Sequence, residues 1–104
     1  MKYTEILKLK EMLEEANIPF TFTETYRKQH SAYQIRLGGL ADVIQHRGSY
    51  GNEQDLLEIM GGLTEEEMDY NDVLGFLTAE EVFKRFKYCW EHQTSVYKED
   101  KNND

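Results

Sequence analysis

Hydrophobic and polar positions change period several times along this chain, and each change marks an element. Ile6, Leu9, Leu13 and Ala16 recur at spacings of three and four, with Lys8, Lys10, Glu11, Glu14 and Glu15 between them. That pattern predicts an amphipathic helix over residues 4–16. Thr4 is placed to cap its start, Asn17 to take the left-handed turn at its end, and Pro19 to block continuation. From Phe20 the period drops to two. Phe20, Phe22 and Tyr26 fall on one face and Thr21, Thr23 and Thr25 on the other, which predicts a strand with one thinly covered face.

Residues 27–31 are polar and read as a connector. Tyr33, Ile35 and Leu37 then alternate with Gln34 and Arg36 in a second strand, and Gly38-Gly39 turns the chain into a third over residues 41–46. Residues 55–60 read as a fourth strand closing on Gly61-Gly62. Residues 64–72 form an acidic excursion without core periodicity. Residues 73–77 read as a fifth strand, in which Gly75 marks a bulge or the close approach of another backbone. In the last helix Thr78 and Glu81 make a capping box, and Leu77 with Val82 a hydrophobic staple. Val82, Phe83, Phe86, Cys89 and Trp90 supply its apolar stripe, so Trp90, like Tyr33, is expected to face the core.

The order is helix, five strands, helix. Short connections favour antiparallel pairing, because a parallel crossover needs about a dozen residues. The expected architecture is a single α+β two-layer domain over residues 1–93, with the N-terminal and C-terminal helices flanking a mainly antiparallel sheet of five strands. Residues 94–104 are expected to form a polar, disordered tail.

Composition sharpens this. With 104 residues, 39% hydrophobic and 12% aromatic, the chain has material for one modest core. Its single cysteine, Cys89, excludes an intramolecular disulfide and fits the cytoplasm. No apolar run approaches about 18 residues, so no membrane partner is expected. A formal charge of −8 argues against direct nucleic-acid binding and is compatible with a basic protein partner. Position matters more than the total: between Gly48 and Phe83 there is no Lys or Arg, while Glu53, Asp55, Glu58, Glu65, Glu66, Glu67, Asp69, Asp72, Glu80 and Glu81 all lie there.

Two stretches carry candidate chemistry. The central loop, His46-Arg47-Gly48-Ser49-Tyr50-Gly51-Asn52, holds two glycines for positive φ, successive amides that can surround an anion, a guanidinium, an imidazole and a stacking ring. If Arg36 and Arg47 converge there, the loop offers a phosphate site; otherwise it is an ordinary connector. In the acidic segment, Glu65, Glu66, Glu67, Asp69, Tyr70 and Asp72 imitate a phosphate backbone or merely aid solubility, with Met68 adding contact area. No metal or other cofactor is expected. Cys89 and His92 are three apart on a helix but lack further ligands, and the acidic run does not have the spacing of a calcium loop. Catalysis is not expected either: His46 near Asp42 or Glu58 is a lone base without a nucleophile.

Several segments carry a family likeness. Tyr33-Gln34-Ile35, residues 42–51, Leu57-Glu58-Ile59-Met60-Gly61 and residues 75–83 resemble a small family of prophage proteins from Gram-positive bacteria. The resemblance brings no catalytic motif and no residue roles. It implies a counter-defence factor: some such proteins sequester nucleotide immune signals, and anti-CRISPR proteins block a nuclease at its nucleic-acid site. The first expectation is therefore a non-enzymatic protein that captures a small phosphorylated nucleotide at the central loop. A homo-oligomer would deepen that pocket. The alternative is an acidic inhibitor that blocks a basic nucleic-acid-binding protein through the acidic segment.

Overall fold

A computed structural model describes residues 3–27 and 30–99, the side chain of Arg27 excepted. The expected α+β domain is present. A five-stranded antiparallel sheet runs in plain sequence order, β1 (Thr21–Arg27), β2 (His30–Leu37), β3 (Ala41–Gln45), β4 (Leu57–Gly61) and β5 (Val73–Leu77). Helices α1 (Thr4–Glu15) and α3 (Ala79–His92) pack together against it, and a short helix α2 (Glu65–Tyr70) links β4 to β5.

The core follows the two periods. Ile6, Leu9 and Leu13 from α1 and Val82, Phe86 and Cys89 from α3 are fully buried with Ile35, Val43, Leu57 and Ile59 from the sheet. Trp90 does not join them and is 36% exposed. One residue is about 100° of helix rotation, so Trp90 sits at the margin of the stripe that Val82, Phe86 and Cys89 define. Tyr33 is half-buried, its ring 4.8 Å from that of Tyr3. Tyr26, near the hairpin end of the edge strand β1, is 70% exposed rather than on a covered face.

The helix ends follow local chemistry in three places out of four. Asn17 takes φ 59°, and the amides of Asn17 and Ile18 donate to the carbonyls of Glu14 and Leu13, closing α1 as expected for a left-handed C-terminal turn. Thr78 and Glu81 form the expected capping box on α3, and Thr64 and Glu67 form a second one on α2, within the stretch read as an excursion. Thr4, however, does not cap α1. It is the first helical residue, and its amide donates to both oxygens of the Asp55 carboxylate at 3.0 Å. The buried Gln45 holds that carboxylate in place, Nε2 to Oδ1 at 2.9 Å. Glu5 in turn accepts from the amide of Ala79 at 2.7 Å, so each main helix begins on a carboxylate from a distant part of the chain.

Two further boundaries differ. His30 and Ser31 belong to β2, paired with Arg27 and Tyr26, so the connector shrinks to Lys28 and Gln29, which lie outside the described residues. The chain after α3 is also packed. Gly62 donates to Ser95, Tyr97 donates to Leu63, and Tyr97 is buried against Tyr88 and Arg85. Of the tail expected from residue 94, residues 100–104 lie outside the described part.

Candidate functional site

The central loop begins where β3 ends at Gln45. His46 and Ser49 close it on themselves: the His46 amide donates to Ser49 Oγ at 3.0 Å, and that hydroxyl donates to the His46 carbonyl at 2.9 Å. The Gly48 amide donates to His46 Nδ1 at 3.0 Å, so that nitrogen is the unprotonated one. A single 3₁₀ turn, Asn52–Gln54, carries the chain on to β4, with Asn52, Gln54, Asp55 and Leu56 donating to carbonyls inside the loop.

The amide of Tyr50 decides what the loop can hold. It donates to the carboxylate of Glu58, Oε1 at 2.8 Å. The anion expected at the successive amides is thus supplied by the protein's own β4. Ser49 and Asn52 are buried, and Gly51 takes φ 93° while Gly48 stays outside the left-handed region. Arg47 is exposed, with Nη1 2.6 Å from His30 Nε2. Arg36 does not join it. It lies on β2 opposite Asp42 and Thr21, six residues from His30, which is roughly 20 Å of strand.

The loop instead docks on β5. A Cβ on Gly75 would lie 2.3 Å from the Cβ of Tyr50, and one on Gly51 would lie 2.9 Å from the Cα of Phe76. Both glycines are needed for backbone to meet backbone here, which is the close approach expected at Gly75. The bulge expected there is present too, as a register shift between the pairs Leu57–Leu77 and Ile59–Leu74. It throws Phe76 outward. Phe76 adopts φ 61° and is 57% exposed. A left-handed backbone at a residue with a Cβ costs about 1–2 kcal/mol, and such strain gathers at functional surfaces.

Helix α2 borders the same place. Glu67 turns inward, taking Arg85 Nη1 on Oε1 at 2.9 Å and Nη2 on Oε2 at 3.0 Å. Those hydrogen bonds hold its carboxyl below the ordinary range, against burial, which pushes it up. Arg85 also donates to the Gly62 carbonyl at 3.0 Å. Glu67 is thereby withdrawn from the acidic surface to which the sequence assigned it. Glu65, Glu66, Met68, Asp69, Tyr70 and Asp72 remain exposed.

Tyr50, Tyr70 and Phe76 line one cleft of about 430 Å³, floored by Val73, Leu74 and Gly75. The two stretches singled out in the sequence therefore meet at the edge of β5, joined by a phenylalanine that sequence reasoning took for an ordinary strand residue. Its only signal was Gly75, since a bulge displaces its neighbour. Elsewhere, Cys89 is buried and burial pushes its thiol up, while His92 stacks on Tyr88 at the surface. Among the described residues no helix is long and apolar enough to cross a membrane. No protein-family model matches the chain, and no curated protein and no solved structure matches it.

Proposed function

We propose that this is a non-enzymatic binding protein that docks on a basic protein and blocks its nucleic-acid site, as a phage counter-defence factor would. The working face is Tyr50, Tyr70 and Phe76 with the carboxylates Glu65, Glu66, Asp69 and Asp72. The observation that carries this reading is Phe76, a large apolar ring kept in solvent by a strained backbone between two other exposed rings. Exposed aromatics rimmed by charge are the usual make-up of interface anchors. The exposed carboxylates of α2 and the turn after it supply the potential that would steer a cationic partner.

Displacement of labelled duplex DNA from a panel of purified bacterial nucleic-acid-binding proteins tests this. The protein is expected to release DNA from at least one of them, with a steep salt dependence. The variant Glu65→Lys/Glu66→Lys/Asp69→Lys is expected to release none. Failure against the whole panel, or an unchanged charge-reversed variant, ends the proposal.

Capture of a phosphorylated nucleotide keeps one supporting observation: Arg47 and Tyr50 line a common recess of about 350 Å³. Against it stand the engaged amides and Glu58 at the Tyr50 amide. Calorimetry with cyclic dinucleotides and ADP-ribose derivatives separates the two readings, since the docking face predicts no heat from either class.

A further inference from the structure

The cleft between the central loop and α2 has a composition that selects among cations. Its three rings are unpartnered by one another: among the described residues the ring pairs are Tyr3–Tyr33, Phe22–Tyr33, Tyr88–His92 and Tyr88–Tyr97. Among the described residues no cation lies over them either, the two such contacts being Lys10 on Phe22 and Arg85 on Tyr97. Tyr50, Tyr70 and Phe76 are 56%, 84% and 57% exposed. Among the described residues the one carboxylate lining the cleft, Glu67, already has both oxygens on Arg85. Exposed negative charge lies beside the cleft and not at its floor: Glu66 is one helical turn before Tyr70, Asp69 precedes Tyr70 and Asp72 precedes Val73, while Glu65 and Glu66 also line a separate recess with residues 96–99.

A lysine ammonium is a compact, strongly hydrated charge that wants a carboxylate close by, and this floor has none to spare. A guanidinium is planar and weakly hydrated, and stacks on aromatic faces. Its methylene stem suits a floor of Val73 and Leu74. The protein uses the same pairing internally, with the Arg85 guanidinium 4.8 Å from the centre of the Tyr97 ring. We infer that the cleft lined by Tyr50, Tyr70 and Phe76 takes an arginine side chain of the basic partner. This inference rests on the docking face proposed above.

Fluorescence polarisation with a short labelled peptide of repeated Arg-Gly-Ser, and the same peptide with Lys for every Arg, tests it. At equal charge the arginine peptide is expected to bind about fivefold tighter, the scale of a partly desolvated cation–aromatic contact. Tyr70→Ala is expected to bring the two affinities together while leaving the salt dependence in place. Tyr70 is 84% exposed, so folding does not depend on it, and Tyr70→Phe is expected to keep the preference. Equal binding of both peptides by the parent, or a preference that survives Tyr70→Ala, overturns the arginine assignment alone. If charge reversal at Glu65, Glu66 and Asp69 still abolishes binding in that case, the docking face stands. A parent that binds neither peptide at low salt overturns both.

Discussion

Arg85 and Glu67 meet as a two-pronged ion pair, each guanidinium nitrogen on its own carboxylate oxygen, with only 13% and 29% of the two side chains exposed. This one contact ties α2 to α3 and so holds Tyr70 beside the bulge of β5. Glu67 also completes the capping box with Thr64. Glu67→Ala removes both and leaves the half-buried Arg85 with the Gly62 carbonyl but no carboxylate, so it is expected to cost about 2 kcal/mol in a urea unfolding titration. Arg85→Lys keeps the charge but not the fork and is expected to be less stable than the parent as well.

Acid is expected to act through two carboxylates. Glu67 is held low by Arg85. For Asp55, burial pushes the carboxyl up, but hydrogen bonds from Gln45 and from the Thr4 and Glu5 amides outweigh it and leave the group below its ordinary value. A carboxyl lowered in the folded state stabilises the protein above its unfolded value and loses that contribution as pH falls through the folded one. Stability should therefore be level near neutrality and decline below about pH 5. Asp55→Asn should flatten part of that decline, read as thermal midpoints across the acid range.

Phe76→Gly should separate stability from binding. Glycine removes the left-handed strain, about 1–2 kcal/mol, but adds chain entropy to the unfolded state, about 0.5–1 kcal/mol, so stability is expected to hold or rise by at most about 1 kcal/mol in a urea unfolding titration. Binding of the basic peptide is expected to weaken. A folded variant that binds like the parent would leave the exposed ring without a role.

Gly75→Ala tests the seat of the loop. A methyl at that point meets Tyr50 Cβ at 2.3 Å, so the loop has to lift away, at about 1–3 kcal/mol. Hydrogen exchange at the amides of Tyr50 and Phe76 is expected to quicken while that of α1 is unchanged.

Arg47→Ala is expected to change stability by less than about 0.5 kcal/mol, as exposed substitutions usually do. The docking face predicts unchanged peptide affinity, because Arg47 does not line the cleft. A nucleotide site would show itself as a loss of ligand heat in the same variant.

The fold was legible because its elements are locally encoded. Ile6, Leu9 and Leu13 keep helical spacing, Tyr33, Ile35 and Leu37 alternate, and Thr78 with Glu81 announces α3. The threonine and glutamate of α2 have the same spacing as those of α3, yet no apolar stripe follows them, and α2 buries no residue. Periodicity is silent about a helix held by one ion pair. Asp55 as the cap of α1 is a contact across 51 residues and leaves no local trace. The site was half legible. Tyr50, Tyr70 and the acidic run were visible, but their meeting around Phe76 depends on a bulge. The fate of the loop amides depends on Glu58, a neighbour only in space.

The plain strand order has a consequence for synthesis on the ribosome. Each strand of the sheet pairs with the one made just before it, so the meander can assemble as it emerges. Helix α1 precedes the sheet in the chain, and α3, which packs against it, follows the sheet. Until α3 leaves the exit tunnel, Ile6, Leu9 and Leu13 have only the sheet for cover, and the nascent chain exposes apolar surface that chaperones and proteases recognise. The domain is therefore closed only once α3 docks, and truncation within α3 is expected to yield degraded protein rather than a smaller stable domain.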